Sequence, residues 1–332
     1  MPDSPRAIAE KLFRDHVIWD DHAGFGPDPG VDLSKLSIWK DAGVDYLSIN
    51  VGYDVMDWRD AVKSLGAFRR WILAADGYRL VTSVEEVRAA KRTGDLAVTF
   101  DLEGMDMLDG SLDMVETYHA LGVRQMLFAY NKNNLAGGGC HDRDTGLTAF
   151  GRDVIGEMNR LGILVDCSHT AYTTTMEAME TSNAPCIFSH SNARELHDHE
   201  RNIWDDQARV CAATGGVVGI VGIGIFLGDN DIRTTTLADH VDHYANLIGA
   251  EHVGIGLDYA FEEEDGENLG DFVATARDYW PEYQYNEPDM ACAHPSQIIE
   301  LAEELLRRQY SERDVAGILG GNFMRVAEAV WK

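Results

Sequence analysis

Short apolar runs recur along this chain, and each is separated from the next by a longer segment in which apolar residues return every three to four positions. The runs have the length of buried strands, while segments such as DVIGEMNRLG and LADHVDHYANLIG have the period of helices that bury one face. Strands that alternate with helices in this way predict an α/β protein with a closed parallel barrel, the (β/α)8 or TIM-barrel fold. The eight predicted strands are 17–24, 46–53, 96–104, 124–131, 162–169, 186–191, 217–226 and 252–259.

The same pattern indicates how the chain is organised outside the barrel strands. No Pro- or Ser-rich linker divides the 332 residues and no internal repeat is visible, so we expect a single barrel domain over 1–332. The segments 295–310 and 311–331 predict extra C-terminal helices that cover the barrel. Acidic residues concentrate in FEEEDGENLGD, and we interpret 261–290 as an acidic loop insertion after strand eight, with a metal-binding loop as the minor alternative.

The composition excludes some functions. Apolar residues make up 45% and charged residues 25% of the chain, as in globular proteins, and the net charge of −28 disfavours nucleic acid or an anionic membrane as a partner. No apolar run has membrane-spanning length, and the charged start MPDSPRAIAEKLFRD lacks the apolar centre of a signal peptide. We therefore expect a cytoplasmic protein. The five cysteines have no CxxC spacing, which argues against a disulfide framework.

Residues that bind metals occur where the predicted strands end. Two consecutive strands end in Ser168-His169 and Ser189-His190. Because the carboxyl ends of parallel strands meet on one face, these imidazoles should lie side by side. One such histidine alone would more often be structural, but the pair favours a metal site. The ends of other strands carry His22, Glu103, Tyr130, Asn131 and Asp258.

Imidazoles and carboxylates on one face are the ligands of zinc and similar divalent ions in hydrolases. Such an ion lowers the pKa of bound water to about 7, so no protein nucleophile is needed. Asp258 would then be free to act as general base and general acid. Strand alternation places Asp20 one layer below His22, and Asp101 likewise below Glu103. There they would support the ligands, although a structural role in the barrel floor is an equal alternative.

Longer motifs resemble the renal (membrane) dipeptidase family of zinc peptidases, which are (β/α)8 barrels related to the amidohydrolases. The most specific pieces are GLTAFGRDVIGEMNRLGILVDCSH, which ends at His169, and the closing LLRRQYSERDVAGILGGNFMRV. Shorter matches are WDDHAG, DLEG, SHSNAR, Arg201-Asn202 and GLDY, so the resemblance extends over nearly the entire chain. It implies a zinc-dependent dipeptidase that hydrolyses small dipeptides with metal-activated water. It also makes a homodimer an expectation, since members of the family are often dimers.

The resemblance also implies a role for each site residue. In that family a glutamate bridges two zinc ions, and Glu103 matches this bridge. His169 and His190 would complete one metal site, and His22 would belong to the other.

The remaining matches concern the substrate. Arg201, next to Asn202, matches an arginine that binds the terminal carboxylate of the substrate, a bidentate task suited to guanidinium. Asp258 matches an aspartate that moves the proton from water to the leaving amine. Both assignments come from the resemblance, since Arg201 in its charged run would otherwise be interpreted as a surface residue.

Two positions depart from the family pattern. Where the family has His-x-Asp, this chain has His22-Ala23-Gly24, and glycine offers no ligand atom. We therefore expect one tightly bound zinc ion, with the second site weak or lost unless it recruits water, Asp20 or a loop acid. Tyr130 stands where the family commonly has a histidine that polarises the scissile carbonyl, and a phenol can still donate a hydrogen bond to the developing oxyanion.

Three functions remain open at this stage. The leading hypothesis is a metallo-dipeptidase that acts on a small-molecule or dipeptide substrate. Loss of the first-strand aspartate favours the alternative of a single-metal relative that hydrolyses another small amide, an N-acyl amino acid or a lactone. A barrel that binds metal without catalysis is the third hypothesis, and it leaves the retention of Arg201 and Asp258 unexplained.

Overall fold

Eight parallel strands form the barrel that the hydrophobic pattern predicts. The computed structural model describes residues 4–24, 26–260 and 269–332. Around the barrel each strand pairs in parallel with the next, while the short β3 lies outside this path and pairs with β4. The strands are β1 (Trp19–Ala23), β2 (Tyr46–Tyr53), β3 (Tyr78–Leu80), β4 (Leu96–Glu103), β5 (Val123–Leu127), β6 (Leu164–Asp166), β7 (Cys186–Phe188), β8 (Val217–Ile220) and β9 (Val253–Ile255).

All eight predicted barrel strands are present, and the (β/α)8 prediction is confirmed. The additional strand β3 was not predicted, because its three half-buried residues, YRL, do not form an apolar run. The barrel strands are shorter than most of the predicted runs, since several runs continue into the loops that carry the strand-end side chains. This difference matters for function, because the chemistry lies in those loops.

The first and last barrel strands meet at their carboxyl ends. The backbone nitrogen of Asp258 donates a hydrogen bond to the carbonyl oxygen of His22 at 3.1 Å, and that of Gly24 donates to the carbonyl oxygen of Tyr259 at 3.2 Å. These two hydrogen bonds join the segment after β9 to the end of β1. The junction between the first and last barrel strands therefore lies directly beside residues that the sequence assigns to the metal site.

Helices surround the barrel. Thr148 caps the helix that follows it by accepting a hydrogen bond from the backbone nitrogen of Gly151, and the left-handed Gly162 (φ +84°) ends the same helix. No helix of the described residues has the length and apolar character needed to cross a membrane. The helices are α1 (Pro5–Asp15), α2 (Ser37–Asp41), α3 (Trp58–Ala74), α4 (Val84–Thr93), α5 (Asp113–Leu121), α6 (Ala149–Leu161), α7 (Tyr172–Thr181), α8 (Asp205–Ala213), α9 (Gly224–Leu227), α10 (Thr234–Ile248), α11 (Leu269–Ala274), α12 (Gln297–Arg307), α13 (Glu312–Ala316) and α14 (Asn322–Val330).

The C-terminal helix covers the amino-terminal end of the barrel. Trp19 at the start of β1 stacks on Tyr46 at the start of β2, with 3.5 Å between ring centroids, and lies 6.5 Å from the ring of Phe323 in α14. Asn322 donates from Nδ2 to the carbonyl oxygen of Val253 at 2.7 Å. Aromatic side chains therefore pack at this end of the barrel, and the strand-end polar residues lie at the opposite end.

The segment after β9 covers part of that opposite end. Residues 261–268, which hold most of the acidic run of the predicted insertion, lie outside the described residues. The rest of the predicted insertion contains α11 and several buried apolar side chains. Trp280 and Tyr285 pack in one cluster with Tyr130, Ile223 and Phe226. We call residues 273–292 the cap segment, because it places aromatic rings over the carboxyl end of the barrel.

Candidate active site

Five side chains converge at the carboxyl end of the barrel. The Nε2 atoms of His169 and His190 lie 3.0 Å apart, and Oε1 of Glu103 lies 3.3 Å from the first and 3.4 Å from the second. Nε2 of His22 lies 3.5 Å from the same Glu103 oxygen and 3.5 Å from Oδ1 of Asp258. Ligand atoms at about 2.1 Å from one zinc ion are about 3.4 Å apart in a tetrahedron. These spacings therefore fit a metal centre, which we call the ligand cluster.

The hydrogen bonds of His169 determine which of its nitrogens faces the ligand cluster. Nδ1 lies 2.7 Å from Oδ1 of Asn131, whose Nδ2 donates to the carbonyl oxygen of Tyr279 at 3.1 Å. Because an amide oxygen only accepts, this network assigns the ring proton of His169 to Nδ1 and a lone pair to Nε2. That lone pair faces a carboxylate oxygen of Glu103, which is repulsive unless a cation lies between them.

His190 is held in the same way by a longer relay. The hydroxyl of Ser189 donates to Asp166 and is therefore an acceptor for Nδ1 of His190, at 2.6 Å. Asp166 is fixed in turn, because its Oδ1 accepts from the backbone nitrogens of Ser168 and Ser189 at 3.0 Å each. His190 thus also presents a lone pair to the cluster. The sequence did not single out Asp166, although it lies only three residues before His169 on β6.

Burial and charge in the ligand cluster favour a metal as well. Burial lowers the pKa of His169 and of His190 well below its ordinary value, and the charges of Arg201 and His22 lower it further, so both imidazoles are neutral. Burial also raises the pKa of Glu103 to about 8, because the carboxylates of Asp258 and Asp101 act in the same direction and the opposing charges of His22 and Arg201 do not cancel the effect. Nε2 of His22 and Oε1 of Glu103 are buried and have no hydrogen-bond partner in the described structure. These residues fit a divalent cation.

Asp20 and Asp101, which were expected to support His22 and Glu103 respectively, have different contacts. Nδ1 of His22 lies 3.3 Å from Oδ2 of Asp101. Asp20 instead accepts hydrogen bonds from Nε1 of Trp39 and from the backbone nitrogen of Leu257, both at 2.8 Å. The pairing of β1 with β2 shifts register after Asp20, which interrupts the regular alternation of faces. Asp101 contacts His22, and the backbone nitrogen of His22 also hydrogen-bonds to Asp20, so the supporting roles of both aspartates stay predictions.

Arg201 lies buried beside the ligand cluster. Its Nη2 donates to the carbonyl oxygen of His190 at 2.9 Å, and its Nη1 lies 3.4 Å from Oγ of Ser191. Nε has no partner, and no carboxylate lies within ion-pair distance of the guanidinium in the part of the chain that the structure describes. A buried cation without a counterion is unfavourable. The structure therefore offers a prepared site for an anionic group next to the ligand cluster.

Asn202 lies beside Arg201 but has a more structural set of contacts. Its Nδ2 donates to the carbonyl oxygens of His197 and Phe226 at 2.9 and 2.8 Å, while Oδ1 is buried without a partner in the described residues. A cavity of about 170 Å³ is bordered by His169, Arg201 and Asn202, among others. Two of the three sequence-predicted substrate residues, Arg201 and Asn202, thus line a space that reaches the ligand cluster.

Tyr130 connects the ligand cluster to the cap segment. Its ring stacks on His169 at 4.2 Å, and its hydroxyl oxygen accepts a hydrogen bond from Nε1 of Trp280 at 3.2 Å. Burial, together with the carboxylate of Glu103, raises the pKa of Tyr130 well above its ordinary value, so the phenol keeps its proton. Because the oxygen accepts from Trp280, its own hydrogen remains available for donation. Sequence reasoning missed Trp280, which belongs to the predicted insertion and has no motif around it.

Asp54 is a second residue that sequence reasoning missed. Its Oδ2 accepts from the backbone nitrogen of Tyr130 at 3.0 Å and from Nδ2 of Asn134 at 2.8 Å. It follows β2 directly, so the rule that polar residues collect at strand ends would have found it. Asp54 therefore fixes the loop that carries Tyr130.

Three site residues have left-handed backbone conformations that side chains rarely adopt. The φ angles of Asn131, His169 and Asp258 are 60°, 60° and 56°. Each such conformation is unfavourable by about 1–3 kcal/mol and is found where the surrounding structure imposes it. In this barrel the left-handed conformation occurs at residues that follow the strand ends. No local sequence pattern predicts it.

Comparison with known proteins agrees with this geometry. The family described as membrane dipeptidase, peptidase family M19, matches residues 43–279 and 285–332. Dipeptidase 3 of Macaca fascicularis is 31% identical over 295 residues, which are 86% of this chain and 55% of that protein. An uncharacterized dipeptidase of Schizosaccharomyces pombe is 32% identical over 286 residues, 82% of this chain and 62% of that protein. The chain thus spans little more than half the length of these relatives.

Solved structures show the same fold. An amidohydrolase from Pseudomonas aeruginosa superposes with a TM-score of 0.87 at 26% identity, over 99% of both chains. A metallo peptidase from Rhodobacter sphaeroides, liganded with a phosphinate mimic of the dipeptide L-Ala-D-Ala, superposes with a TM-score of 0.77 at 19% identity, over 96% of this chain and 100% of that chain. The resemblance carried by the sequence motifs is thereby confirmed, and the chain belongs to the membrane dipeptidase family.

Proposed function

We propose that this protein is a metal-dependent dipeptidase that hydrolyses the amide bond of small dipeptides. The observation that carries the proposal is the buried guanidinium of Arg201, which has no carboxylate partner among the described residues and lies against His190, directly beside the ligand cluster. A substrate held at both points has its free carboxylate close to its scissile bond, as a dipeptide does. The dipeptide mimic bound to the related metallo peptidase supports this substrate class.

Different residues would bind the metal ion and the carboxylate of the substrate. Glu103, His169 and His190, with His22, would hold the ion, and a bound divalent ion would supply water with a pKa of about 7. Arg201, next to Asn202, binds the substrate carboxylate through paired charge-assisted hydrogen bonds.

Two further side chains act on the reacting bond. Tyr130 donates its phenolic hydrogen to the oxygen on which negative charge develops. Asp258, in contact distance of His22, accepts the proton from water and gives it to the leaving amine. The cap segment keeps Tyr130 buried and limits the length of the substrate.

Zinc is the ion that we propose, because imidazole and carboxylate ligands in a closed set suit it. We further propose a cytoplasmic homodimer that has no nucleic-acid or membrane partner. Metal analysis of purified protein and light scattering would test the ion and the assembly.

The alternative function is hydrolysis of another small amide, an N-acyl amino acid or a lactone with a single ion. Gly24 favours it, because the ligand of a second ion is missing. A panel of L-L and L-D dipeptides, N-acyl amino acids and lactones, assayed with added Zn²⁺, separates the two. We expect the dipeptides to have the highest kcat/KM. Turnover of N-acyl amino acids or lactones alone would establish the alternative, and no turnover of any substrate would favour a non-catalytic metal-binding barrel.

A further inference from the structure

We propose that His199 is a positioning residue, which connects Arg201 to the cap segment and holds it in place for the carboxylate of the substrate. The inference rests on the carboxylate role of Arg201 in the proposed function. It makes the cap segment part of the substrate-binding site as well as its cover.

The first observation is the way in which the guanidinium of Arg201 is held. Its Nη2 donates to the carbonyl oxygen of His190, and its Cζ lies 5.5 Å from the ring centroid of Phe226. Neither contact is an ion pair. Because no carboxylate of the described residues fixes the guanidinium, its position depends on neutral contacts and on the backbone that carries it.

The second observation is the contact between His199 and that backbone. The backbone nitrogen of Arg201 donates to Nδ1 of His199 at 3.1 Å, and Nε2 of His199 lies 3.3 Å from the carbonyl oxygen of Gln284 in the cap segment. Since Nδ1 accepts a hydrogen bond, the ring proton lies on Nε2, which therefore donates to Gln284. One imidazole thus links the backbone of Arg201 to the cap segment.

Burial keeps this imidazole in the neutral form that the link requires. Only 5% of His199 is exposed, and burial lowers its pKa to about 3, an effect stronger than the opposing hydrogen bond to Gln284. The ring packs edge-on against Phe226 and Tyr285, with 4.8 and 5.6 Å between ring centroids. Phe226 therefore contacts both His199 and the guanidinium of Arg201.

A second connection between the same two segments runs through a different histidine. Nδ1 of His141 lies 2.8 Å from Oε2 of Glu200, and its Nε2 lies 2.9 Å from the hydroxyl oxygen of Tyr285. These contacts are made to the side chain of Glu200, whereas His199 accepts from the backbone of Arg201 itself. His199 is therefore the better candidate for a residue that positions the guanidinium.

The experiment compares the dipeptide L-Ala-D-Ala with its C-terminal amide, which lacks the free carboxylate. The ratio of the two kcat/KM values measures carboxylate recognition, and mass spectrometry measures metal content. His199→Phe keeps a ring but removes both hydrogen bonds. We expect it to lower the ratio about three- to tenfold, the range for loss of a neutral hydrogen bond, through a higher KM for the dipeptide. The kcat for the dipeptide and the metal content should not change.

His199→Asn tests the link to the cap segment alone. Its side-chain oxygen can replace Nδ1 as the acceptor for Arg201, but the shorter side chain does not reach Gln284. We therefore expect a ratio between those of the parent and of His199→Phe.

His240→Phe is the matched control. His240 is also a buried imidazole, whose Nδ1 accepts from the backbone nitrogen of Ala193 at 3.2 Å and whose Nε2 lies 3.1 Å from the carbonyl oxygen of Leu227. The control loses the same two kinds of hydrogen bond, neither of which involves Arg201. Its unfolding temperature should fall as in His199→Phe, while the ratio stays parental.

Three results would overturn the inference. They are a parental ratio in either folded variant of His199, an equal loss in His240→Phe, and a parent protein that does not prefer the free acid. If His199→Phe fails to fold, His199→Asn decides the question alone.

The inference and the proposed function can fail separately. If the parent cleaves no dipeptide, calorimetric binding of a phosphinate mimic of L-Ala-D-Ala and of its amide replaces the kinetic ratio. A preference for the free acid that depends on His199 would then support the inference and reject the function. Dipeptide hydrolysis whose preference for the free acid does not depend on His199 would do the reverse.

Discussion

The two sides of the ligand cluster are built on different principles. On the β6–β7 side, His169 and His190 each donate a hydrogen bond from Nδ1 to a neutral oxygen. The acceptor is Oδ1 of Asn131 for His169 and Oγ of Ser189 for His190. On the β1–β9 side, His22 faces a carboxylate, Asp101, at the longer distance of 3.3 Å.

Electrostatics separates the two sides further. Burial leaves His169 and His190 neutral, whereas for His22 the carboxylates of Asp101, Glu103 and Asp258 overcome burial and raise the pKa well above its ordinary value. The β6–β7 side therefore offers two neutral imidazoles with fixed lone pairs, whereas the β1–β9 side is dominated by the negative charge of the carboxylates around His22. Four substitutions test this contrast.

The largest effect is expected on the β6–β7 side. His169→Ala removes a fixed lone pair, so we expect tight metal binding and activity to be lost together. Metal content after dialysis and kcat/KM on a dipeptide measure this. His243→Ala, which changes a histidine on α10 paired with Asp205, is the matched control and should retain both. Full zinc occupancy in His169→Ala would remove this residue from the ligand set.

Tyr130→Phe tests whether that side also stabilises the developing charge. Loss of one such donor typically lowers kcat by about 100-fold or more, and we expect this with metal content unchanged. Tyr53→Phe, on the ring in edge contact with Tyr130 at 5.4 Å, is the control. A normal kcat in Tyr130→Phe would assign the phenol to packing against Trp280.

Arg201→Ala should act on substrate binding rather than on the metal. Loss of hydrogen bonds to a charged group costs about 1.5–3 kcal/mol, which corresponds to about a 10- to 100-fold increase in KM. The same substitution at the exposed Arg209 should leave KM as it was. An unchanged kcat/KM in Arg201→Ala would reject the carboxylate-binding role.

The smallest effect is expected on the β1–β9 side. Asp101→Asn removes the charge that faces Nδ1 of His22, and substitutions of residues that orient a metal-bound histidine typically weaken metal binding about 10- to 100-fold. We expect the lower end, because the contact is long. Asp20→Asn should lower thermal stability through its contacts with Trp39 and Leu257, without a comparable loss of Zn²⁺ affinity. Equal losses of affinity in both variants would remove the distinction drawn between these aspartates.

Much of the fold was visible in the sequence because barrel strands that are buried on both faces read as apolar runs. Sequence reasoning failed where geometry departs from regular alternation. The register shift after Asp20, and the hydrogen bonds that Asp20 accepts from Trp39 and Leu257, could not be predicted from the strand pattern. It also failed where contacts are remote, since Trp280 lies 150 positions from Tyr130, to which it donates.

The sequence likewise predicted part of the candidate site. All five residues of the ligand cluster were identified as polar residues at the carboxyl ends of predicted strands, and the motifs identified the family. The motifs revealed that an aspartate is missing at Gly24, but not that the Asp258 carboxylate occupies the vacated space. That information exists only once the ends of β1 and β9 are side by side.

The hydrogen bonds between His22 and Asp258, and between Gly24 and Tyr259, have a consequence for biosynthesis. The ligand cluster spans the junction of the first and last strands, so a growing polypeptide acquires Asp258, the last member of the cluster, only after most of its length has been synthesised. Glu103, His169 and His190 come earlier, so this group is present in the chain before the circle of strands is completed. Chains truncated ahead of residue 253 would retain three histidines and Glu103, yet would lack Asp258 and the hydrogen bonds that join the two ends of the barrel.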